Sequence, residues 1–130
     1  VSEGRGRTAV ATDGAPAAVA SYSQAIKANG FVFCSGQVAL DPATGELLDG
    51  TVADETRRCL DNLTAVLAAA GSGWDRVVKV TAYLTDIGDY ADFNEVYAEY
   101  TGDEAPARAA FAVSALPKGA RVEVECIALG

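Results

Sequence analysis

The chain contains no histidine. Serine–histidine and cysteine–histidine hydrolases, histidine proton shuttles and the common zinc sites all depend on an imidazole. Those classes therefore fall together, and acid–base work is left to carboxylate, tyrosine, lysine or bound water. Positive charge is scarce: Lys and Arg number 10 against 18 Asp and Glu, a net charge of −8. Nonspecific nucleic-acid affinity comes from neutralising phosphates, so this balance opposes a nucleic-acid partner. No apolar run approaches the roughly 18 residues of a membrane-spanning helix. The stretch Val1-Ser2-Glu3-Gly4-Arg5-Gly6-Arg7 lacks the apolar centre of a signal peptide. A soluble cytoplasmic protein without a membrane partner is the expectation. Cys34, Cys59 and Cys126 are an odd set without CxxC spacing. Each sits in an apolar pattern, which marks reduced core residues and excludes a disulfide framework.

Half of the 130 residues are apolar, which suits one compact core. The expected organisation is a flexible segment over residues 1–15, loose or partly extended and rich in Gly, Ala and charge without periodicity, followed by a single domain over 16–130. Asn29-Gly30 separates Tyr22–Lys27 from Phe31–Gly36 and predicts a hairpin, because it supplies the positive φ angles of a tight turn. From Thr51 the apolar period becomes helical, with Cys59, Leu60, Leu63, Val66 and Leu67 on one stripe. Thr51 and Asp54 have capping-box spacing, and Gly71 suits the C-terminal end. Val77–Thr85 alternates as a strand with Val78, Val80, Ala82 and Leu84 on one face, and a second helix is predicted from about Asp89 to Tyr100 with Tyr90, Phe93, Val96, Tyr97 and Tyr100 as its stripe. Two further strands, near 108–115 and 121–128, flank the turn Leu116-Pro117-Lys118-Gly119.

The order β-β-α-β-α-β-β implies an α+β fold whose mostly antiparallel or mixed sheet carries both helices on one face. Several strands are apolar on both sides, so the other face is expected to lie against a second subunit. A homo-oligomer follows from that pattern.

Within this frame, Arg108 enters a strand of small residues directly after Ala105-Pro106-Ala107. A guanidinium is always charged and presents a rigid fork of donors matched to carboxylates, which makes Arg108 a candidate anion receptor. Its plainer reading is a surface ion pair in a chain with many acids.

The motifs Tyr22-Ser23-Gln24-Ala25, Ser35-Gly36-Gln37, Leu60-Asp61-Asn62-Leu63, Val78-Lys79-Val80-Thr81, Asn94-Glu95-Val96-Tyr97, Pro106-Ala107-Arg108, Leu116-Pro117-Lys118-Gly119 and Val122–Ala128 occur in this order. Together they resemble the RidA (YjgF) family of reactive-intermediate imine deaminases, from about residue 15 to the end. The resemblance implies a chorismate-mutase-like fold assembled as a homotrimeric barrel with clefts between subunits. It also implies hydrolysis of 2-imino acids and 2-aminoacrylate-type enamines to 2-keto acids and ammonia, with no cofactor and no metal.

On the same resemblance, Arg108 would hold the substrate carboxylate, Glu125 would position the attacking water, and Tyr22 would offer its hydroxyl. Ser35 and Gly36 would line the cleft floor, Phe93 and Asn94 its wall, and a backbone carbonyl near Ala110 would assist the water. Alternation alone leaves open whether Glu123 or Glu125 faces Arg108, and only the family motif selects Glu125. Tyr22 also reads as a rim aromatic and Asn94 as a helix-packing amide. The chain departs from the family pattern in four places: Ala20-Ser21 replaces the usual Gly-Pro, which is expected to loosen the loop carrying Tyr22; Ala110 replaces a frequent cysteine at a position whose role is mainly through its backbone; and Glu55 in place of a frequent glutamine, with the short stretch between Tyr100 and Pro106, bears on cleft shape and substrate range. Competing functions are a pathway-specific hydrolase of the same family, a non-catalytic trimer that binds small carboxylates, and an endoribonuclease or translation inhibitor.

Overall fold

A computed structural model describes residues 6–130. Eight main elements follow in chain order: β1 (Thr8–Val10), β2 (Ala25–Ala28), β3 (Phe31–Gln37), α1 (Val52–Ala69), β4 (Val77–Leu84), α2 (Tyr90–Thr101), β5 (Ala107–Ala112) and β6 (Val122–Leu129). The strands form one six-stranded sheet in the order β1-β2-β3-β6-β4-β5. All neighbours are antiparallel except β4 and β5, which run parallel. The expected α+β order is present, with β1 added before it.

Local chemistry accounts for the element boundaries. Asn29 and Gly30 adopt φ of 51° and 80°, the paired positive values that let β2 return as β3. Thr51 caps α1 through a complete capping box with Asp54, satisfying amide donors that the helix itself leaves free. At the other end the Ser72 amide donates to the Leu67 carbonyl and the Gly71 amide to that of Ala68, the bond pair of a Schellman stop. The α1 stripe Cys59, Leu60, Leu63, Val66 and Leu67 is fully buried against β3, β6 and α2.

The Glu55 carboxylate is also buried in α1. It accepts from the Arg121 backbone amide at 3.0 Å and from the Arg121 guanidinium, which anchors the start of β6 to the helix. A buried carboxylate is tolerated here because its lone pairs are used.

β6 is central, paired with β3 on one side and β4 on the other. Its alternation sorts the sheet into two faces. Val122, Val124, Cys126 and Ala128 are buried beneath the helices, while Glu123, Glu125, Ile127 and Leu129 look the other way. On that second face Phe31, Phe33, Phe111 and Leu129 remain 39% to 45% exposed. All three cysteines are free and buried, as their apolar surroundings led us to expect.

Two expectations are revised. The segment to residue 15 is not loose where it is described: Thr8–Val10 pair with β2, and the buried Gln24 carboxamide holds the following loop. It accepts from the Thr12 amide at 2.7 Å and donates to the Pro16 carbonyl at 2.8 Å. Val78 does not share a face with Val80, because a bulge between Val77 and Lys79 shifts the register against β6 and turns Val78 outward. The strands on either side of the Leu116–Gly119 turn lie apart in the sheet, an arrangement on which the sequence pattern made no statement. The crossover through α2 makes β5 an edge strand beside β4, and β6 inserts between β4 and β3.

Candidate active site

The sequence candidates gather into two groups. The first surrounds a cleft of about 430 Å³ lined in part by Tyr22, Ser35, Gly36, Pro117, Lys118 and Glu123. β3 supplies its floor where the pairing with β6 slips between Cys34 and Gln37, so the Ser35-Gly36 backbone leaves the regular ladder. The Ser35 hydroxyl donates to the Ser23 carbonyl at 2.6 Å and the Ser35 amide to that of Gln24 at 3.0 Å. These bonds fix the loop that carries Tyr22, which is otherwise half-exposed. Ala20 and Ser21 do not leave this loop unsecured, since the Tyr22 amide also donates to the Ala20 carbonyl at 2.9 Å.

Of the two β6 acids, Glu123 enters this cleft and Glu125 does not. A Cβ built on Gly36 would lie 2.0 Å from a Glu123 carboxylate oxygen, so the carboxylate occupies the space that a side chain at this position would take. Burial, then the negative charge of Glu125, push the Glu123 carboxyl above its ordinary value. Glu125 instead accepts from the Tyr83 hydroxyl at 2.7 Å. That bond, with burial, holds the phenol protonated up to about 12. The resemblance implied Glu125, whereas the β6 acid that lines this cleft is Glu123. Both acids share a face, but the slip in β3 admits only the first of them to the cleft.

The second group lies on the helix side of the edge strand. Arg108 is in register with the buried Val80 and so points beneath α2. Its Nη1 donates to Asn94 Oδ1 at 2.8 Å, and its Nη2 donates to the Tyr90 hydroxyl. The guanidinium carbon stands 5.4, 5.8 and 4.8 Å from the ring centroids of Tyr90, Phe93 and Tyr97. Tyr90, Phe93, Asn94 and Tyr97 fall at helical spacing, so one face of α2 presents them together to Arg108. Ala110 follows two residues on along β5. As an edge strand, β5 leaves part of its backbone unpaired, and a carbonyl there needs no side chain to act.

No carboxylate pairs with Arg108 among the described residues, where the ion pairs are Arg57–Glu99 and Arg121–Glu55. Its polar partners are neutral acceptors. A surface ion pair is thus excluded there, and a partly buried cation without a counter-ion is suited to receive one from a ligand. Reading from the sequence missed Tyr90 and Tyr97 as neighbours of Arg108, because their stripe registers equally well as core. The described residues contain no cluster of His, Cys, Asp or Glu arranged to hold a metal. They also contain no helix long and apolar enough to cross a membrane.

A six-stranded mixed sheet with two helices, a Ser-Gly cleft floor and an uncompensated arginine define a recognisable class. The model of the Endoribonuclease L-PSP family matches residues 12–130, and the chain belongs to this family, which is also called YjgF/RidA. It is 51% identical over 117 residues to a RutC family protein of Pyrococcus horikoshii, an alignment covering 90% of this chain and 93% of that one. It is 46% identical over 123 residues to the 2-iminobutanoate/2-iminopropanoate deaminase of Rattus norvegicus, covering 95% and 90%. The crystal structure of RidA from the Antarctic bacterium Psychrobacter superposes with a TM-score of 0.91 at 43% identity, covering 95% of this chain and 99% of that chain.

Proposed function

We propose that this protein hydrolyses 2-imino acids and their enamine tautomers to 2-keto acids and ammonia, in clefts formed between the subunits of a homotrimer. The observation that carries the reading is Arg108, a charged fork held in place by neutral partners and lacking a carboxylate of its own. A substrate carboxylate supplies the missing charge. Two charge-assisted bonds then fix the plane of the molecule and thereby the imine carbon.

The second reactant is water. Glu123, desolvated and raised in pKa, accepts a proton from water as its oxygen bonds to the carbon of the protonated imine, returns that proton to nitrogen, and takes up the hydroxyl proton as the C–N bond of the carbinolamine breaks, the proton then passing to the departing ammonia. The balance is imine plus water to ketone plus ammonia. A protonated imine is already electrophilic, so position, a water and a modest base suffice. Tyr22 and the Ser35-Gly36 backbone frame the water and the nitrogen, and Ala110 offers a backbone acceptor.

Arg108 and Glu123 stand on opposite faces of one sheet, so a complete site needs a second copy. The exposed Phe31, Phe33, Phe111 and Leu129 support such an assembly. Burying a large apolar side chain contributes roughly 1.5–3 kcal/mol, and these four lie on the same sheet face as Glu123. The net charge of −8 disfavours the ribonuclease reading.

An amino-acid oxidase that generates imines in the cuvette, with semicarbazide trapping what remains, tests the activity. The parent should suppress semicarbazone formation. Arg108→Ala should abolish the effect, and Arg108→Lys should retain only a few per cent because an ammonium cannot hold a carboxylate in one plane. A parent that leaves semicarbazone yield unchanged, or an Arg108→Lys variant as active as the parent, rejects the proposal.

A further inference from the structure

We infer that Tyr90 is a specificity-determining donor for the substrate carboxylate, an inference that rests on the reading of Arg108 above. Tyr90 opens α2, and Asn94 follows one turn later on the same side of the helix. The two residues flank the guanidinium in the same manner. Each accepts a hydrogen bond from Arg108 through oxygen, and each thereby keeps its own donor unspent. For Asn94 that donor is the amide Nδ2 group, and for Tyr90 it is the phenolic O–H.

The Tyr90 hydroxyl donates to no acceptor among the described residues, and the residue is only partly buried. Three of the five guanidinium N–H groups are likewise uncommitted after the bonds to Asn94 and Tyr90. The uncommitted guanidinium N–H groups, the Tyr90 O–H and the Asn94 amide N–H are all donors on side chains bonded to one another, a set that suits an anion rather than a neutral polar group. Accepting a bond from a cation polarises the phenol and strengthens the bond that it can donate. A carboxylate seated on the fork therefore receives an additional bond from Tyr90 to the oxygen nearest Nη2. The ring contributes separately, standing 5.4 Å from the guanidinium carbon, where it holds the fork in position through cation–π attraction.

Separating the hydroxyl from the ring makes this testable. Tyr90→Phe deletes the donor and keeps the ring, and Tyr90→Leu deletes both. The measurements are the Kd of 2-oxobutanoate, a carboxylate product that does not turn over, by titration calorimetry, and KM and kcat for imines generated in place. Tyr90→Phe should weaken 2-oxobutanoate binding and raise KM by about five- to tenfold, with kcat changed less than twofold and an unaltered Tm. Tyr90→Leu should weaken binding further.

Equal Kd and KM in Tyr90→Phe and the parent would overturn the inference while leaving the deaminase reading intact. A fall in kcat at unchanged Kd would also overturn it, by moving the hydroxyl from carboxylate binding to the chemical step. A parent that binds 2-oxobutanoate, with the loss in Tyr90→Phe, but shows no imine turnover would sustain Tyr90 as a donor and reject the deaminase. Absence of 2-oxobutanoate binding by the parent would overturn both.

Discussion

Arg108 and Glu123 belong to one sheet but project from its opposite faces, the arginine beneath α2 and the acid into the cleft beside Gly36. The register fixes this relationship: Arg108 is level with the buried Val80, whereas Glu123 is level with Tyr83 on the open side. Rotating either side chain does not bring them together, because β4 and its neighbours lie between.

Subunit complementation follows from that arrangement. Arg108→Ala and Glu123→Gln chains are each expected to be inactive alone. When unfolded together and refolded at equal ratio into random mixtures of the proposed trimer, they should recover about a quarter of parent activity, since one ordered subunit pair in four carries both intact groups. Activity measured after co-refolding, against separately refolded chains mixed afterwards, is the check. No recovery on co-refolding would place both groups in a single chain's site and contradict the assembly.

Gly36 is the position where a single methyl should separate function from folding. Its Cβ would meet Glu123 Oε2 at 2.0 Å, Cδ at 2.9 Å and Cγ at 3.1 Å. Each of these atoms belongs to a side chain that can swing away, so Gly36→Ala should leave Tm within a few degrees. The carboxylate must then leave its place, and if Glu123 is the proposed base, its displacement by about 1 Å should cost on the order of 10²-fold in rate. Steady-state kinetics with thermal melting would show the split, and full activity in Gly36→Ala would mean that the position of Glu123 is irrelevant to turnover.

Much of this geometry was legible before the structure. Asn29-Gly30, the Thr51–Asp54 box and the α1 stripe are local signals, read within a few residues, and each appears where the chain places it. Arg108 was legible as an exception, a charge among small residues. What could not be read was pairing. Glu123 and Glu125 share one alternating face, and only the slip in β3 between Cys34 and Gln37 decides which reaches the cleft. β1 escaped notice because three residues are too few to display a period. Tyr90 was read as part of an apolar stripe, since helical spacing describes a neighbour of Arg108 and a core aromatic in the same way.

The pH dependence should report the two β6 acids separately. In the proposed mechanism Glu123 serves as a base only when ionised, so kcat/KM should fall as the pH drops through its pKa. Burial first, and then Glu125, raise that value, so the acid limb should lie above the ~4.3 of a solvated glutamate. Glu125→Gln removes the like charge and keeps an acceptor for the Tyr83 hydroxyl. It should therefore move the limb to lower pH but not back to the solvated value, because burial remains. Stability carries the opposite sign. A carboxyl whose pKa is raised on folding favours the folded state fully below its unfolded pKa, and that contribution is lost as pH rises through the folded value. At neutral pH the ionised Glu123 thus opposes folding, and Glu123→Gln should raise Tm there while abolishing turnover. The Tm advantage should shrink toward acidic pH as the parent carboxyl protonates. Rate profiles and melts of the parent, Glu123→Gln and Glu125→Gln across pH 4 to 8 give both readings. An acid limb that Glu125→Gln does not move, together with full turnover in Glu123→Gln, would remove Glu123 from the chemistry and leave Arg108 with backbone-held water as the minimal site.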